Sequence, residues 1–277
     1  MKIGIIDYAV ANYHTKTYPK LIKQYNEANG TNFEVSYVFT EVDKEGYTTA
    51  DWCQAYGAER CESIKELCEK SDFVMIIAPD HPEKHLGYAE EVFKCGHSPY
   101  IDKTFAPNYE TAVKIFELAE KYGVKFFSSS ALRYAPQLDD IKKTVKSLTL
   151  INGGGAFVDH AIHFCEITVK CMGKGAEKVF YERFEDQEWV DIAYPDGRRA
   201  KIMYSKWMPY GVIAQDESGE SKYVDLGWSF FNGLIADVLR FAVEKTTSFD
   251  TQETLECMKL LDAVLIAKEN EKQWINL

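Results

Sequence analysis

The stretch "MKIGIIDYAVANYH", residues 1–14, begins as a short apolar, β-branched run and then turns. The run at residues 3–6 is bounded by turn residues, which predicts a buried strand of a parallel sheet. In dinucleotide-binding folds, the loop after such a strand reads G-x-G-x-x-G, because glycine lets the backbone approach a pyrophosphate. Here the three glycine positions hold Asp7, Ala9 and Asn12. The stretch therefore predicts the first strand of such a fold and leaves open whether a nucleotide binds.

Composition narrows the classes of function. The chain has 277 residues, of which 46% are hydrophobic and 27% charged, as in ordinary globular proteins. Its 32 basic and 43 acidic residues give a net charge of −11. That balance argues against nucleic-acid binding, which needs a basic patch, and against attachment to an anionic membrane surface. The acidic excess is typical of a solubilising surface.

Cysteine usage and the N-terminal residues indicate the compartment. Seven cysteines form an odd set without a C-x-x-C spacing, so we expect reduced thiols rather than a disulfide framework. The N-terminus runs directly into a strand, so we expect no signal peptide. All apolar runs are shorter than the roughly 18 to 20 residues of a membrane span. The sequence therefore predicts a cytoplasmic protein.

Strands alternate with helices over the first half of the chain, which predicts a doubly wound parallel sheet with helices on both faces. We expect this Rossmann-like domain to span residues 1–130. The predicted strands are 3–6, 33–39, 73–78, 100–101 and 124–128, and the predicted helices are 15–25, 63–69, 82–94 and 109–121.

The pattern changes after residue 130. Helices are predicted at 137–146 and 159–171, followed by strand-like stretches separated by short turns over 178–223. Strands joined by short turns are antiparallel. Two closing helices are predicted near 230–244 and 251–270. The second domain, residues 131–277, is therefore predicted to be an α/β domain with a largely antiparallel sheet.

Three stretches bring chemically active residues together. "APDHPEKH" (78–85) and "YIDKTFAPN" (100–108) each follow a predicted strand, at the sheet edge where doubly wound folds bind ligands. In "GGGAFVDHAIHFCE" (153–166), Asp159, His163 and Glu166 lie at i, i+4 and i+7, on one helix face. These stretches predict a site for a small molecule.

Together the stretches resemble the Gfo/Idh/MocA family of oxidoreductases, which includes inositol dehydrogenase. Lys103 matches the lysine of that family's E-K-P motif, and His85 matches the histidine of its T-P-x-x-x-H segment. "RYAP" (133–136) is similar to its Arg-aromatic-x-Pro segment. The stretch at 153–166 resembles its G-G-G-x-x-x-D-x-G-x-H-x-x-D motif, with alanine for glycine and glutamate for the last aspartate. The resemblance runs over nearly the whole chain.

The resemblance implies hydride transfer between NAD or NADP and a sugar, cyclitol or related polyol. It implies that His163 is the general acid/base, that Lys103 polarises the substrate oxygen, and that Asp159 orients both substrate and His163. Histidine suits the first role because its pKa is near neutrality. Substrate contacts are expected from Arg133 and His160. Cofactor contacts are expected from Asp7, Ala9, Val10, Ala11, Asn12, Thr40, Pro79, Asp80, His85 and Asp102.

The chain departs from the family pattern in three places. The glycine loop is absent, and the acid expected at the end of the second strand is Thr40, with Glu41 beside it. The stretch from 136 to 153 is short, so we expect a strand of the second domain to be missing. These departures leave open a non-redox relative that keeps a small-molecule binding or interaction site.

Two groups of residues have spacings that are found in metal sites. His81 and His85 stand at i and i+4, and Asp159, His163 and Glu166 share a face, spacings that can bind a metal. Most such groups do not, and we expect no metal.

The stretch "KIMYSKWMPYGV", residues 201–212, alternates apolar and polar residues. A sheet face bearing Ile202, Tyr204, Trp207 and Tyr210 would be large for a monomer to expose, which predicts a homodimer or homotetramer.

Overall fold

The computed structural model describes residues 1–141 and 145–277. The chain divides into two compact units, a first unit of residues 1–129 and 235–251 and a second unit of 130–234 and 252–277. The sequence places a single boundary at residue 130 and does not predict the return of 235–251 to the first unit. The return has a packing reason, since the Phe241 ring lies 6.3 Å from Phe73 and 5.7 Å from Phe127.

The first unit contains a parallel sheet of six strands in the order β3-β2-β1-β4-β5-β6, which confirms the doubly wound prediction. Two elements were not predicted, the helix α2 and the two-residue strand β3, because both are short and polar. The elements are β1 (Lys2–Asp7), α1 (Tyr13–Asn29), β2 (Glu34–Thr40), α2 (Thr49–Tyr56), β3 (Glu59–Arg60), α3 (Ile64–Lys70), β4 (Phe73–Ile76), α4 (His85–Lys94), β5 (Tyr100–Ile101), α5 (Tyr109–Tyr122) and β6 (Phe127–Ser128).

The strand order places a binding edge at the middle of this sheet. β1 pairs in parallel with β2 on one side and with β4 on the other, so the direction of winding reverses at β1. Ligands of open α/β sheets bind beside the carboxyl ends of strands at such a reversal. The loops after β1, β2, β4 and β5 therefore hold the candidate residues of this unit.

The second unit contains a seven-stranded sheet in the order β12-β11-β7-β10-β9-β8-β13. β7 and β10 are parallel and the other neighbours are antiparallel, which confirms the largely antiparallel prediction. Its elements, and the helix α7 that links the units in sequence, are β7 (Val145–Asn152), α6 (Phe157–Met172), β8 (Lys178–Phe184), β9 (Gln187–Ala193), β10 (Arg199–Tyr204), β11 (Gly211–Asp216), β12 (Ser221–Asp225), α7 (Phe230–Glu244), α8 (Gln252–Glu269) and β13 (Trp274–Asn276).

The region from 136 to 153 corrects one prediction. The helix expected at 137–146 is wrong, because a 3-10 turn spans Pro136–Asp140 and β7 begins at Val145, while residues 142–144 lie outside the described part. Val145, Leu148 and Leu150 are buried in a pattern that follows the strand rather than a helix. The expected loss of a strand relative to the family stays a prediction, although residues 145–152 form β7 inside the sheet.

The four residues predicted to form one exposed apolar face, Ile202, Tyr204, Trp207 and Tyr210, differ in exposure. Ile202 and Tyr204 are buried, and the Tyr204 ring packs 5.2 Å from Phe157 of α6. Residues 201 and 203 point to the opposite side because side chains alternate along β10. Trp207, which is 84% exposed, lies beyond the end of the strand.

Candidate functional site

The Asp7 carboxylate at the end of β1 is turned into the loop that follows it. Its oxygens accept hydrogen bonds from the Ala9 main-chain N–H at 3.2 Å and from Asn12 Nδ2 at 2.7 Å. Asp7 is buried, and burial raises its pKa to about 7, although the Asn12 and main-chain hydrogen bonds act in the opposite direction. This carboxyl is therefore about half ionised at neutral pH and largely uncharged below it.

The loop adopts a backbone that does not require glycine. Left-handed φ angles occur elsewhere in the described non-glycine residues, and none falls within 7–12. Asn12 is the N-cap of α1, where it accepts from Thr15 N at 3.0 Å and donates to the Ala9 oxygen at 3.0 Å. Ala9 and Val10 are buried and Ala11 is half-buried. The start of α1 thus remains at the loop, where helix N–H groups suit a pyrophosphate, so these residues fit a dinucleotide.

At the end of β2, the neighbouring residues Thr40 and Glu41 have different roles. Thr40 is buried and its hydroxyl lies 2.7 Å from that of Thr49, so it holds the loop before α2. Glu41 accepts hydrogen bonds from Lys84 Nζ at 2.7 Å and Tyr88 at 2.9 Å. Burial alone would raise the pKa of Glu41, but these two hydrogen bonds lower it. The acidic side chain at this strand end is therefore Glu41, while Thr40 has a structural role.

His85 holds the loop after β4 in place through contacts with main-chain carbonyl groups. This ring is fully buried, with Nδ1 3.0 Å from the Phe105 oxygen and Nε2 3.0 Å from the Ile77 oxygen. Burial lowers the pKa of His85, although both carbonyl contacts raise it. Pro79 is buried and Asp80 is exposed. His85 therefore joins the loops after β4 and β5, and any effect on a cofactor passes through their position.

Metal ligation finds no support in this arrangement. His85 is occupied by two carbonyls, and His81 pairs with Glu83 at 3.0 Å and lies with its ring 4.1 Å from Tyr8. Among the residues that the structure describes, no group of three or more histidine, cysteine or acidic side chains could hold a metal ion.

Asp102 after β5 is the centre of a buried polar network. It accepts hydrogen bonds from Tyr100 at 2.8 Å, Tyr18 at 3.1 Å and the Lys103 main-chain N–H at 2.9 Å, and it contacts His14 Nδ1. Burial alone would raise the pKa of Asp102, but the charge and hydrogen bond of His14 outweigh it and lower the pKa. The network fixes the backbone of half-buried Lys103 relative to α1. The i, i+4 spacing of His14 and Tyr18 was the available sequence signal.

The second unit gathers the histidines at the start of α6. His163 Nδ1 lies 2.6 Å from the Ser130 hydroxyl, and the His160 ring lies 5.4 Å from that of His163. His160 Nδ1 is 3.1 Å from the Ala156 oxygen. Asp159 is exposed, one turn before His163. The structure therefore places Asp159, His160 and His163 on the first two turns of one helix. Ser130, which the sequence did not indicate, contacts His163.

Arg133 and Glu166 form a buried ion pair. Arg133 donates to Glu166 at 3.2 Å and also contacts Glu253, and only 5% of Arg133 is exposed. Burial acts to lower the pKa of Arg133, but the two carboxylates raise it above its ordinary value. Glu166 is buried although it shares a helix face with exposed Asp159. The substrate contact expected of Arg133 stays a prediction, because its guanidinium is committed to these carboxylates.

Solved structures provide the comparison for this fold. A probable dehydrogenase from Thermotoga maritima superimposes with a TM-score of 0.82 at 13% identity, covering 100% of this chain and 98% of that one. GenD2 from gentamicin A biosynthesis, solved in complex with NAD, gives 0.80 at 14% identity, covering 100% and 96%. Scyllo-inositol dehydrogenase from Lactobacillus casei, solved with NAD(H) and scyllo-inositol, gives 0.75 at 14% identity, covering 100% and 98%.

Sequence comparison adds nothing to this likeness, since no family model and no curated protein matches the chain. No helix of the described residues is long and apolar enough to cross a membrane. At 13% to 14% identity the likeness establishes the fold, and it does so over the full chain. The resemblance inferred from the motifs is confirmed at that level: this chain has the fold of the Gfo/Idh/MocA-type dehydrogenases.

Proposed function

We propose that this protein is an NAD(P)-dependent oxidoreductase that transfers a hydride between the nicotinamide and a sugar, cyclitol or related polyol. The observation that carries the proposal is the start of α6, where Asp159 and His163 stand one turn apart and Ser130 holds the His163 ring. The solved structures with NAD and with scyllo-inositol support the same chemistry on this fold.

His163, Lys103 and Asp159 have separate roles in the proposed reaction. His163 exchanges a proton with the substrate hydroxyl, Lys103 stabilises the negative charge on that oxygen, and Asp159 orients the substrate. The nicotinamide supplies or accepts the hydride when bound. The loop from Asp7 to Asn12 would hold the pyrophosphate at the start of α1. Glu41 is the acid placed to meet a ribose hydroxyl, and Lys84 already neutralises it.

The test begins with binding. Purified protein is titrated with NADH and NADPH while nicotinamide fluorescence is followed, and turnover is then measured with a panel of cyclitols and sugars. We expect one cofactor to bind, and Lys103→Met and His163→Gln to lower kcat by roughly 10² to 10⁴ without loss of cofactor binding. Lys114→Met, at an exposed ion pair on α5, is the matched control. No binding of either cofactor at millimolar concentration would contradict the proposal.

One observation favours a second candidate, a non-redox relative that binds a small molecule. The pyrophosphate loop contains a buried acid, Asp7, in place of glycine. This candidate expects sugars or small acids to raise the melting temperature while nicotinamide cofactors leave it unchanged. Dehydrogenase turnover with any polyol would remove it.

We also propose that the protein is a homodimer or homotetramer in the cytoplasm and binds no nucleic acid. Trp207 and Trp228, 84% and 78% exposed, support self-association because large apolar side chains are costly to leave in water. Light scattering at micromolar concentration tests it, and a mass near 31.7 kDa would mean a monomer.

A further inference from the structure

Ser130 makes two hydrogen bonds to α6. Its hydroxyl lies 2.6 Å from His163 Nδ1, and its main-chain N–H donates to Glu166 Oε1 at 3.1 Å. The hydroxyl oxygen also accepts from the Leu132 N–H at 3.3 Å. Because His163 and Glu166 are one helical turn apart, Ser130 holds the ring and the helix that carries it at the same time.

The backbone contact is itself held firmly. Glu166 is buried and its second oxygen is bound by Arg133, which is 5% exposed. Removing the Arg133 charge would break this ion pair and leave the Glu166 carboxylate buried without it, which is costly. These contacts therefore hold the Ser130 main chain beside His163.

The hydrogen bond between Ser130 and Nδ1 bears on which ring nitrogen reacts. A serine hydroxyl has one donor and two acceptor lone pairs, and the Leu132 N–H uses one lone pair. The second lone pair can accept a hydrogen bond from a protonated Nδ1. Nδ1 carries a proton in the imidazolium and in one of the two neutral tautomers. If Nδ1–H is bonded to Ser130 in both states, the proton is gained and lost at Nε2 alone.

We propose that Ser130 is a positioning residue for His163, which accepts Nδ1–H and so makes Nε2 the atom that exchanges a proton with the substrate hydroxyl. The inference rests on the proposed dehydrogenase function. In the oxidation direction, the hydroxyl proton passes to Nε2 while the hydride leaves the same carbon for the nicotinamide, and reduction reverses both transfers.

The test combines a spectroscopic and a kinetic readout in the full-length protein. Ring nitrogens are labelled with ¹⁵N, and His163 is assigned among the six histidines by its loss in His163→Gln. Ser130→Ala removes the hydroxyl and Ser130→Thr keeps it. The matched control is Thr168→Val on α6, because the buried Thr168 hydroxyl has no hydrogen-bond partner among the described residues.

We expect neutral His163 to carry its proton on Nδ1 in wild type, Ser130→Thr and Thr168→Val, and to become a mixture of tautomers in Ser130→Ala. We expect Ser130→Ala to lower kcat roughly ten- to a hundredfold, below the full contribution of an acid/base group, with KM changed less than about twofold. Ser130→Thr should recover most of that loss.

The outcomes separate the two proposals. A wild type that turns over but carries the neutral proton on Nε2, or a Ser130→Ala variant with unchanged tautomer and kcat, would overturn the role of Ser130 alone. A wild type that binds neither nicotinamide cofactor would overturn the proposed function instead, whatever the tautomer.

Discussion

The loop after β1 and the loop before α6 solve the same problem, a tight approach to the start of a helix, in opposite ways. The first has replaced all three expected glycines with Asp7, Ala9 and Asn12. The second keeps three consecutive glycines at 153–155, and Gly154 and Gly155 have φ angles of 113° and 153°. Glycine is therefore required where the backbone is left-handed or crowded, and side chains can take its place elsewhere.

The crowding in the second loop is specific. A Cβ on Gly153 would lie 2.3 Å from the Met208 oxygen, one on Gly154 2.4 Å from the Tyr210 hydroxyl, and one on Gly155 2.6 Å from the His160 ring. In the first loop, side chains replace the missing glycines by bonding to one another. The loop before α6 is thus fixed by the absence of side chains, and the loop after β1 by their hydrogen bonds.

The largest expected effect is on the pH dependence of stability, which reports the buried Asp7. Its pKa is about 7 in the folded state and near the ordinary 3.8 when unfolded, so folding takes up a proton between these values. The contribution of Asp7 to stability is complete below about pH 4 and falls as pH rises to 7, by up to about 1.4 kcal/mol per pH unit. Urea unfolding of wild type and Asp7→Asn across pH 4 to 8 measures the difference in slope.

Lost hydrogen bonds in Asp7→Asn shift its stability by a nearly constant amount and leave the slope difference intact. Parallel pH profiles for the two proteins would mean that Asp7 stays charged in the fold, contrary to the account of the first loop.

Next in size is Gly153→Ala, which tests crowding in the second loop. The new methyl group would meet two main-chain oxygens, of Met208 and Ser205, at 2.3 and 2.7 Å. Because backbone cannot move aside as a flexible side chain can, we expect a loss of about 3 kcal/mol in the free energy of unfolding. Chemical denaturation measures it.

Gly87→Ala is the control, since that glycine lies within α4 with nothing within 4 Å of the added carbon. We expect it to stabilise the protein by about 0.5 to 1 kcal/mol. Similar stabilities for the two variants would contradict the crowding argument.

A smaller loss is expected for Asn12→Ala in the first loop. The change removes the cap on Thr15 N and the bonds to Asp7 and the Ala9 oxygen, at a cost of about 1 to 2 kcal/mol. Asn108→Ala removes an exposed N-cap of α5 without such extra bonds and should cost about 1 kcal/mol or less. If both substitutions cost the same, Asn12 does not hold the loop together.

The smallest effect concerns cofactor affinity. A charged Asp7 near the pyrophosphate is worth about 0.3 to 1 kcal/mol of repulsion, so NADH should bind wild type about two- to fivefold more weakly at pH 8 than at pH 6. Asp7→Asn should show no such change, and calorimetry of both proteins measures it. Asp7→Gly is the less direct variant, because it also breaks the loop's hydrogen bonds. Equal pH dependence would separate Asp7 from the cofactor.

The residue pattern was sufficient to predict secondary structure where the signal lies within one short segment. The apolar run before Asp7 predicts a buried parallel strand, and the strand-helix alternation predicts the doubly wound sheet. The prediction of a helix at 137–146 was wrong because a polar segment of that length is compatible with either period. β7 is a strand because it pairs with β10 and β11, which the sequence alone does not show.

The sequence by itself determined the type of fold and nominated Lys103, Asp159 and His163, since motifs and helical spacing are local properties. Only the tertiary structure decided how those residues are held. Asp102 meets His14 across 88 residues, and His163 meets Ser130 across 33. It also decided that Arg133 is committed to a buried ion pair and that Asp7 is turned inward. Burial and long-range hydrogen bonds set these roles, and neither is encoded in the spacing of neighbouring residues.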